Sequence, residues 1–421
     1  MHASPHLPLD AGLSKILYVL CKVRGEKVIS GFLNNEPRYL ELVLSALERN
    51  VQHATSKGYS WQVSYILLTW LSHLLLAPFD LATVAIGELP RLPLASFSVP
   101  SGLPTIALRI TSLSLTCLQS ASKEQEAAAK VMVRLARRPD MQQYCVATNT
   151  VSWASRSLSS TLEDPGVDLN ACIGQLRVLA AMVVSPDAEE LFSLIPSIYR
   201  TAIDIHEYLQ SHPQHSSAIV LKILVKILRN IAILSLQPVN GTLESFFRVN
   251  GVLEEVIDIL LQLLGDKDTQ VRFASSKALG MIVTKLEPEL GHEIIQAVLD
   301  GFQENITAST SRKRLDVSMV NASRWHGLTM TLAHGLFRRS AAPSQLPEII
   351  DALLIALSFE QRAVTGQSIG SNVRDAACFG LWSLARRYTT VELLAVDVTK
   401  LPADQGEERT SSVIQLSLIH I

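Results

Sequence analysis

Apolar residues recur at helical spacing along nearly the whole chain, and the alternation typical of strands is rare. The spacing predicts about fourteen helices. The clearest lie over 10–23, 36–55, 60–77, 104–120, 123–137, 167–183, 188–208, 216–234 and 252–285 with a break. The proline-rich segment 89–104 is predicted to be a loop. The pattern therefore predicts an all-α protein.

The segment from Gly58 to Phe79 contains 22 residues without a formal charge. A bilayer crossing needs about 20 apolar residues, so the length alone would allow a membrane span. The segment nevertheless carries polar side chains on one helical stripe, among them Gln62, Thr69 and Ser72, and no group of Lys or Arg marks one of its ends. We predict a helix enclosed by neighbouring helices in a protein core, with no membrane span.

An internal repeat appears in the second half of the chain. Residues 252–286 contain one apolar helix, a short turn with Asp266 and Asp268, and a second helix that begins at Val271-Arg272. The same template fits 288–338 and 345–388, where the second helices begin at Trp325 and Val373. Each pair is predicted to be covered by the pairs before and after it.

These pairs resemble the HEAT repeat, in which a turn with Asp precedes a V-R-x-x-A-x-x-A-L helix. The resemblance implies an α-solenoid of HEAT/armadillo-like repeats. Its structural motif is matched by Asp268, Val271, Arg272, Asn372, Val373 and Arg374. The arginines are expected to tie repeats together, and ligand-binding arginines are the alternative.

Composition narrows the possible functions. Apolar residues make up 48% of the 421 residues, charged residues make up 18%, and the net charge is −2. Such a chain can bury a large core, and it has no strong positive field for nucleic acid. The five cysteines are scattered without C-x-x-C spacing, which favours buried thiols over disulfides or a zinc site. The first ten residues show no secretory signal.

Two motifs suggest chemistry only weakly. The GQSIG segment, 366–370, matches the hydrolase nucleophile elbow at Ser368, but the pattern around it shows no parallel sheet. His206, His212 and His215 are interpreted as a solvated turn rather than a metal site. No phosphate-binding loop occurs, so neither catalysis nor a cofactor is predicted.

Five blocks, in order, resemble the tubulin-folding cofactor D family. They are KVRGEK with Phe32 and Glu36, WQVSYILLTWLS followed by PFDL (61–81), VRFASSKALG, WHGLTMTLAHGLFRR and GSNVRDAACFGLWSLAR. The resemblance runs from about residue 13 to about 388. It divides the chain into a flexible start (1–12), a solenoid (13–390) and an irregular tail (391–421). The family's chains are longer, so we expect an N-terminal portion of such a protein.

The resemblance implies a non-enzymatic, cytoplasmic protein associated with the microtubule cytoskeleton. Its expected partners are β-tubulin, tubulin cofactors E and C, and an Arf-like small GTPase. The family holds β-tubulin after its release from the chaperonin and supports assembly and disassembly of the αβ-tubulin heterodimer. Stimulation of GTP hydrolysis by tubulin belongs only to the assembled complex.

Two alternatives remain open from the residues alone: a generic HEAT adaptor in a transport, kinase or phosphatase complex, and an enzyme using Ser368. Client contacts are expected on one edge and on the concave side of the solenoid. The inserted loops 303–320 and 358–371 are candidates because they depart from minimal repeats. The candidate contact residues are Arg312, Lys313, Arg314, Trp325 and His326.

Overall fold

A computed structural model describes most of the chain. The described residues are 8–52, 60–84, 97–163, 172–184, 189–239, 241–304, 307–308, 315–316, 319–362, 366 and 368–394. They divide into two compact units, 1–227 and 228–421. The first half of the predicted loop 89–104 lies outside the described residues, and its described part, 97–104, contains no helix or strand. Nearly all of the predicted tail 391–421 also lies outside the described residues.

The described part of the first unit is built from helices. They are α1 (Leu9–Arg24), α2 (Glu26–Ser30), α3 (Tyr39–Gln52), α4 (Trp61–Leu74), α5 (Thr105–Leu118), α6 (Glu124–Ala136), α7 (Pro139–Gln142), α8 (Val146–Leu162), α9 (Ile173–Met182), α10 (Glu189–Ser211) and α11 (Ala218–Ser235). Short 3-10 turns lie at Leu81–Thr83 and Pro213–His215. The boundary between the units falls within α11.

The second unit repeats pairs of helices. Its elements are α12 (Gly241–Val249), α13 (Val252–Leu263), α14 (Thr269–Val283), α15 (Pro288–Asp300), β1 (Thr307–Ala308), β2 (Leu315–Asp316), α16 (Ala322–Arg338), α17 (Leu346–Leu357), β3 (Gln361–Arg362), β4 (Ser368–Ile369), α18 (Ser371–Arg387) and α19 (Thr390–Leu394). The first helix of each pair packs on the second, and the second helices α14, α16 and α18 pack side by side. This is the repeat that the sequence predicts, and the α-solenoid fold class is confirmed.

The uncharged segment forms α4, which lies inside the first unit. It packs against α1, α2, α3 and α6, so it is covered on several sides. Leu68 and Leu71 are fully buried, and Thr69 and Ser72 of the polar stripe are buried as well. Among the described residues, no helix has the length and hydropathy needed to cross a bilayer. The prediction of an enclosed helix is confirmed.

Polar contacts fix α4 to its neighbours. The Tyr65 hydroxyl donates to Glu26 Oε2 at 3.1 Å, and Trp70 Nε1 donates to the Asn34 carbonyl at 2.6 Å. Asn50 Nδ2 donates to Ser64 Oγ at 2.7 Å. The Tyr65 and Asn50 bonds pair polar groups that are partly buried, and the Trp70 bond is exposed.

The PFDL block that follows α4 is held by two residues near the start of α7. Arg138 donates to the carbonyls of Leu75 at 2.7 Å and Ala77 at 3.2 Å, and to that of Phe79. Asp140 Oδ2 accepts from the backbone N–H of Leu81 at 3.0 Å. Arg138 therefore binds carbonyls that the end of α4 leaves without helical partners.

The cysteine prediction holds in part. All five cysteines are free; Cys21, Cys117 and Cys172 are buried, whereas Cys145 and Cys378 are exposed. The expectation of uniformly buried thiols is wrong for those two. Cys145 precedes the start of α8, and Cys378 lies on the outward face of α18.

Candidate partner-binding edge

The turns inside three consecutive helix pairs lie on one edge of the second unit. We call this the turn edge: residues 264–268 between α13 and α14, 301–321 between α15 and α16, and 358–370 between α17 and α18. Its ranges take in nearly all of both inserted loops, with Asp268, Arg312, Lys313 and Arg314 of the predicted site residues. The other predicted site residues lie in the first turns of the helices that follow these turns.

Arg272 is the central tie of this edge. It is 3% exposed, and its Nη1 donates to the carbonyls of Asp266 at 2.7 Å and Lys267 at 2.9 Å. Its Nε donates to His326 Nδ1 at 2.9 Å, which joins α14 to the beginning of α16 in the next pair. The expectation that this arginine ties repeats together therefore agrees with its contacts, and Val271 beside it is fully buried.

Burial keeps the His326 imidazole, which accepts from Arg272, in its neutral form. The pKa of His326 is lowered to about 4, first by burial and then by the neighbouring Arg272, so the imidazole is neutral at pH 7. A neutral ring that accepts at Nδ1 carries its proton on Nε2. Burial also lowers the pKa of Arg272, although Asp266 and Asp268 oppose that shift.

Arg374 also donates to a backbone carbonyl in the turn before its helix, but it binds one carbonyl where Arg272 binds two. Its Nη1 donates to the Phe359 carbonyl at 2.6 Å, and its Nη2 lies 3.4 Å from Ser368 Oγ. Val373 is buried, as the repeat motif predicts, and Asn372 is exposed. Arg374 ties the turn of its own pair, whereas Arg272 also reaches the following pair.

The buried Trp325 side chain packs against aromatic residues at the start of both inserted loops. The side chain is 1% exposed, and its ring centroid lies 5.1 Å from that of Phe302 and 5.1 Å from that of Phe359. Phe302 directly precedes the inserted loop 303–320, and Phe359 is the second residue of the inserted loop 358–371. The indole therefore packs at the start of both loops. Two residues later, α16 lies very close to the end of α13. Only glycine fits there, because a Cβ atom at Gly327 would lie 2.0 Å from the Leu264 carbonyl oxygen.

Each inserted loop contains a short antiparallel pair. Thr307 and Ala308 pair with Asp316 and Leu315, and Gln361 and Arg362 pair with Ile369 and Ser368. Gln361 Nε2 donates to the Val320 carbonyl at 2.6 Å, which links the second loop to the first. Two exposed apolar side chains lie beside these pairs, Met319 at 74% and Ile369 at 42% exposure.

The predicted contact residues are distributed unevenly. Arg312, Lys313 and Arg314 lie outside the described residues. Trp325 and His326 are described and buried, so in this conformation neither side chain offers a surface to a partner. The exposed Met319 and Ile369 were not predicted from the sequence. Only their position in or beside a loop insertion could have indicated them.

The weak chemical motifs have ordinary surroundings. Ser368 lies on a two-residue antiparallel strand, which is unlike the parallel-sheet turn that raises a hydrolase nucleophile. His212 stacks on Tyr208, and His215 Nδ1 lies 2.8 Å from the Tyr208 hydroxyl. Within the described part of the chain, no group of three or more His, Cys, Asp or Glu is arranged to hold a metal ion.

Comparison with known proteins identifies the repeats. A family model described as tubulin-specific chaperone D-like, ARM repeat, matches residues 4–158, and a second ARM-repeat model of that description matches 226–402. A chain in the structure of the Pds5–Scc1 complex aligns with 98% of this chain and 62% of its own length. At 12% identity and a TM-score of 0.28, that likeness is too low to bear on fold or function.

Two relatives support the same family. Tubulin-folding cofactor D of Schizosaccharomyces pombe is 26% identical over 404 residues, which are 90% of this chain and 32% of that protein. Tubulin-specific chaperone D of Dictyostelium discoideum is 26% identical over 383 residues, which are 78% of this chain and 25% of that protein. The chain thus spans a quarter to a third of the length of these relatives. With both repeat models matched in order, the chain belongs to the tubulin-specific chaperone D family.

Proposed function

We propose that this chain is a β-tubulin-binding portion of a tubulin-folding cofactor. The observation that carries the proposal is the ordered match of two chaperone D repeat models, over 4–158 and 226–402. In this function the chain holds β-tubulin after its release from the chaperonin. It then supports assembly and disassembly of the αβ-tubulin heterodimer, in the cytoplasm and in association with the microtubule cytoskeleton.

The proposal includes further partners. Tubulin cofactors E and C and an Arf-like small GTPase act with the chain in one complex, and that complex stimulates GTP hydrolysis by tubulin. The chain itself performs no covalent step. It supplies a preorganised helical surface, which lowers the cost of ordering the interface on binding.

The turn edge is the proposed contact surface for the client. At the described ends of its loops, Trp325 packs against Phe302 and Phe359. Arg272 binds the carbonyl of Asp266 in the turn between α13 and α14. The exposed Met319 and Ile369 offer apolar contact, and Arg312, Lys313 and Arg314 supply positive charge from the same loop region. Trp325 and His326 contribute as supports beneath this surface.

The direct test is capture of purified β-tubulin by the immobilised full chain. The full-length fission yeast relative serves as the longer comparison, and actin serves as an unrelated globular control. The proposal expects the chain to retain β-tubulin and to leave actin in solution. Retention by the relative but not by this chain would place the client surface outside these residues. Retention by neither would favour a HEAT adaptor with another partner.

A further inference from the structure

An aromatic face covers the outward side of the second helices in the second unit. It consists of Phe273 on α14, His334 and Phe337 on α16, and Phe379 and Trp382 on α18. His334 lies edge-on between Phe273 and Phe379, with both ring centroids at 5.5 Å. Phe337 and Phe379 each stack on Trp382, at 6.2 and 6.1 Å. The five rings form a continuous row across three repeats.

Much of this row faces outward. Phe273 is 47% exposed and Trp382 is 43% exposed. Scattered exposed apolar residues are normal on protein surfaces. Adjoining aromatic rings across three helices form a patch of the kind that marks interaction surfaces, because aromatic side chains are enriched where partners bind.

Positive charge flanks the aromatic face. Lys277 lies one turn after Phe273, Arg386 lies one turn after Trp382, and Arg338 follows Phe337. Among the described residues, none of these three makes an ion pair. Asp375, two turns before Trp382, is the acidic residue on the same side of α18.

A further arginine is held directly on the row. The Arg387 guanidinium lies over the Phe337 ring at 5.1 Å, and its Nε donates to the Phe337 carbonyl at 2.7 Å. The neighbouring Arg339 is different, because it is paired with Glu392. Arg387 therefore presents a positive charge at a fixed place beside the aromatic rings.

Burial is the first cause of the lowered pKa values of two neighbouring groups, and this positive charge adds to it. The pKa of His334 is lowered to about 4, first by burial and then by Arg338 and Lys277. The pKa of Arg229 is lowered by burial and by Arg338. An anionic partner would relieve this repulsion.

We propose that the aromatic face and its basic flank, Lys277, Arg338, Arg386 and Arg387, bind an acidic peptide segment that carries an apolar anchor residue. The anchor packs against Trp382 and Phe273, and the carboxylates pair with the flanking cations. Charge complementarity favours an acidic segment over the alternatives. A neutral apolar segment would leave the cations unpaired, and a basic segment would be repelled. This surface is separate from the turn edge and does not depend on tubulin binding there.

The test uses a fluorescein-labelled peptide of glutamates around a single phenylalanine, titrated with the full chain and followed by anisotropy. We expect Trp382→Ala and the double variant Lys277→Glu/Arg386→Glu each to weaken binding about ten-fold. Binding to the parent chain should also fall as salt rises from about 50 mM to about 300 mM, because exposed charges are screened. Trp382 is on the surface, so its loss should leave the circular dichroism spectrum unchanged.

Matched controls come from the first unit. Phe32→Ala removes an aromatic side chain that is 82% exposed, and Lys15→Glu reverses an exposed charge on α1. Both should bind the peptide as the parent does. The proposal fails if the parent does not bind, if a lysine version of the peptide binds equally well, or if the face variants match these controls. The assay contains no tubulin, so its failure is distinguishable from failure of the proposed function.

Discussion

Arg272 and Arg138 are buried arginines that bind carbonyls at turns. Arg272 binds two carbonyls in the α13–α14 turn, and Arg138 binds three after α4. Only arginine presents several donors in a fixed fork and stays charged when buried. The V-R motif reveals Arg272 from sequence. Arg138 has no such motif, because its carbonyl partners lie about 60 residues earlier in the chain.

His326 makes the stability of the fold depend on pH. The pKa of its imidazole is lowered to about 4 in the folded chain, against about 6.5 in an unfolded one. Between these values the unfolded chain binds a proton that the folded chain does not, so stability falls as the pH drops. At pH 5 this group lowers the free energy of unfolding by about 2 kcal/mol relative to pH 7.

We therefore expect His326→Gln to reduce the stability difference between pH 7 and pH 5 by about 2 kcal/mol. The glutamine oxygen can still accept from Arg272. Urea unfolding at both pH values measures the difference, and His292→Gln, at an exposed histidine, is the control. An unchanged pH dependence in His326→Gln would show that this imidazole is not held neutral by burial.

Gly327 allows α16 to lie very close to the end of α13, because it has no side chain. A Cβ atom there would lie 2.0 Å from the oxygen and 2.8 Å from the carbon of the Leu264 carbonyl, which no side-chain rotation relieves. We expect Gly327→Ala to destabilise the chain by about 3 kcal/mol, as overpacking of a tight contact does. Urea unfolding tests this. Gly241→Ala has no atom within 4 Å of the added Cβ and should show no comparable loss.

At the scale of elements, the sequence predicts the helix pairs well and their details less well. The apolar period marks α4 and the pairs from α13 to α18, because buried faces dominate those segments. It does not mark α8 clearly, because Val146–Leu162 is rich in Ser and Thr, which blur the apolar pattern. The β pairs in the inserted loops are two residues long, which is too short for alternation to show.

Some features of the candidate site could likewise be predicted from the sequence, and others could not. Loop insertions are visible in the sequence as departures from the repeat, so the turn edge could be predicted. The burial of Trp325 agrees with its place in the repeat, where it aligns with Val271 and Val373. The burial of His326 could not be predicted, because a helix enclosed on most sides shows little polar face to mark its orientation. The support of both loops by one indole depends on long-range packing.

The two inserted loops should contribute to β-tubulin binding without contributing to the fold. Replacing 361–368 by a short Gly-Ser linker keeps Phe359 and Arg374, so the base of the loop stays anchored. We expect about ten-fold weaker binding of β-tubulin with unchanged helicity, since the loss is confined to the contact surface. Surface plasmon resonance and circular dichroism measure the two quantities.

A matched replacement at another loop controls for chain alteration. Residues 236–239, between α11 and α12, lie away from the turn edge in sequence and carry no predicted contact. A Gly-Ser replacement there should leave β-tubulin binding unchanged. Equal binding by both replacements and the parent would remove the 358–371 loop from the proposed surface.

At the scale of the whole molecule, the units and the family models agree. One model begins at 226 and the second unit begins at 228, and the other model lies entirely within the first unit. The sequence predicts one continuous array over 13–390 and does not indicate a division. The helical period runs through α11 without interruption, so no pattern marks the boundary.

The central claim is that this chain binds β-tubulin through its turn edge. Hydrogen exchange of the full chain, with and without purified β-tubulin, tests it most directly. The prediction is slower exchange at 301–304, 319–321, 358–362 and 368–370 in the presence of β-tubulin, with little change at the far ends of the same helix pairs. Binding with no protection at these turns, or no binding at all, would contradict it.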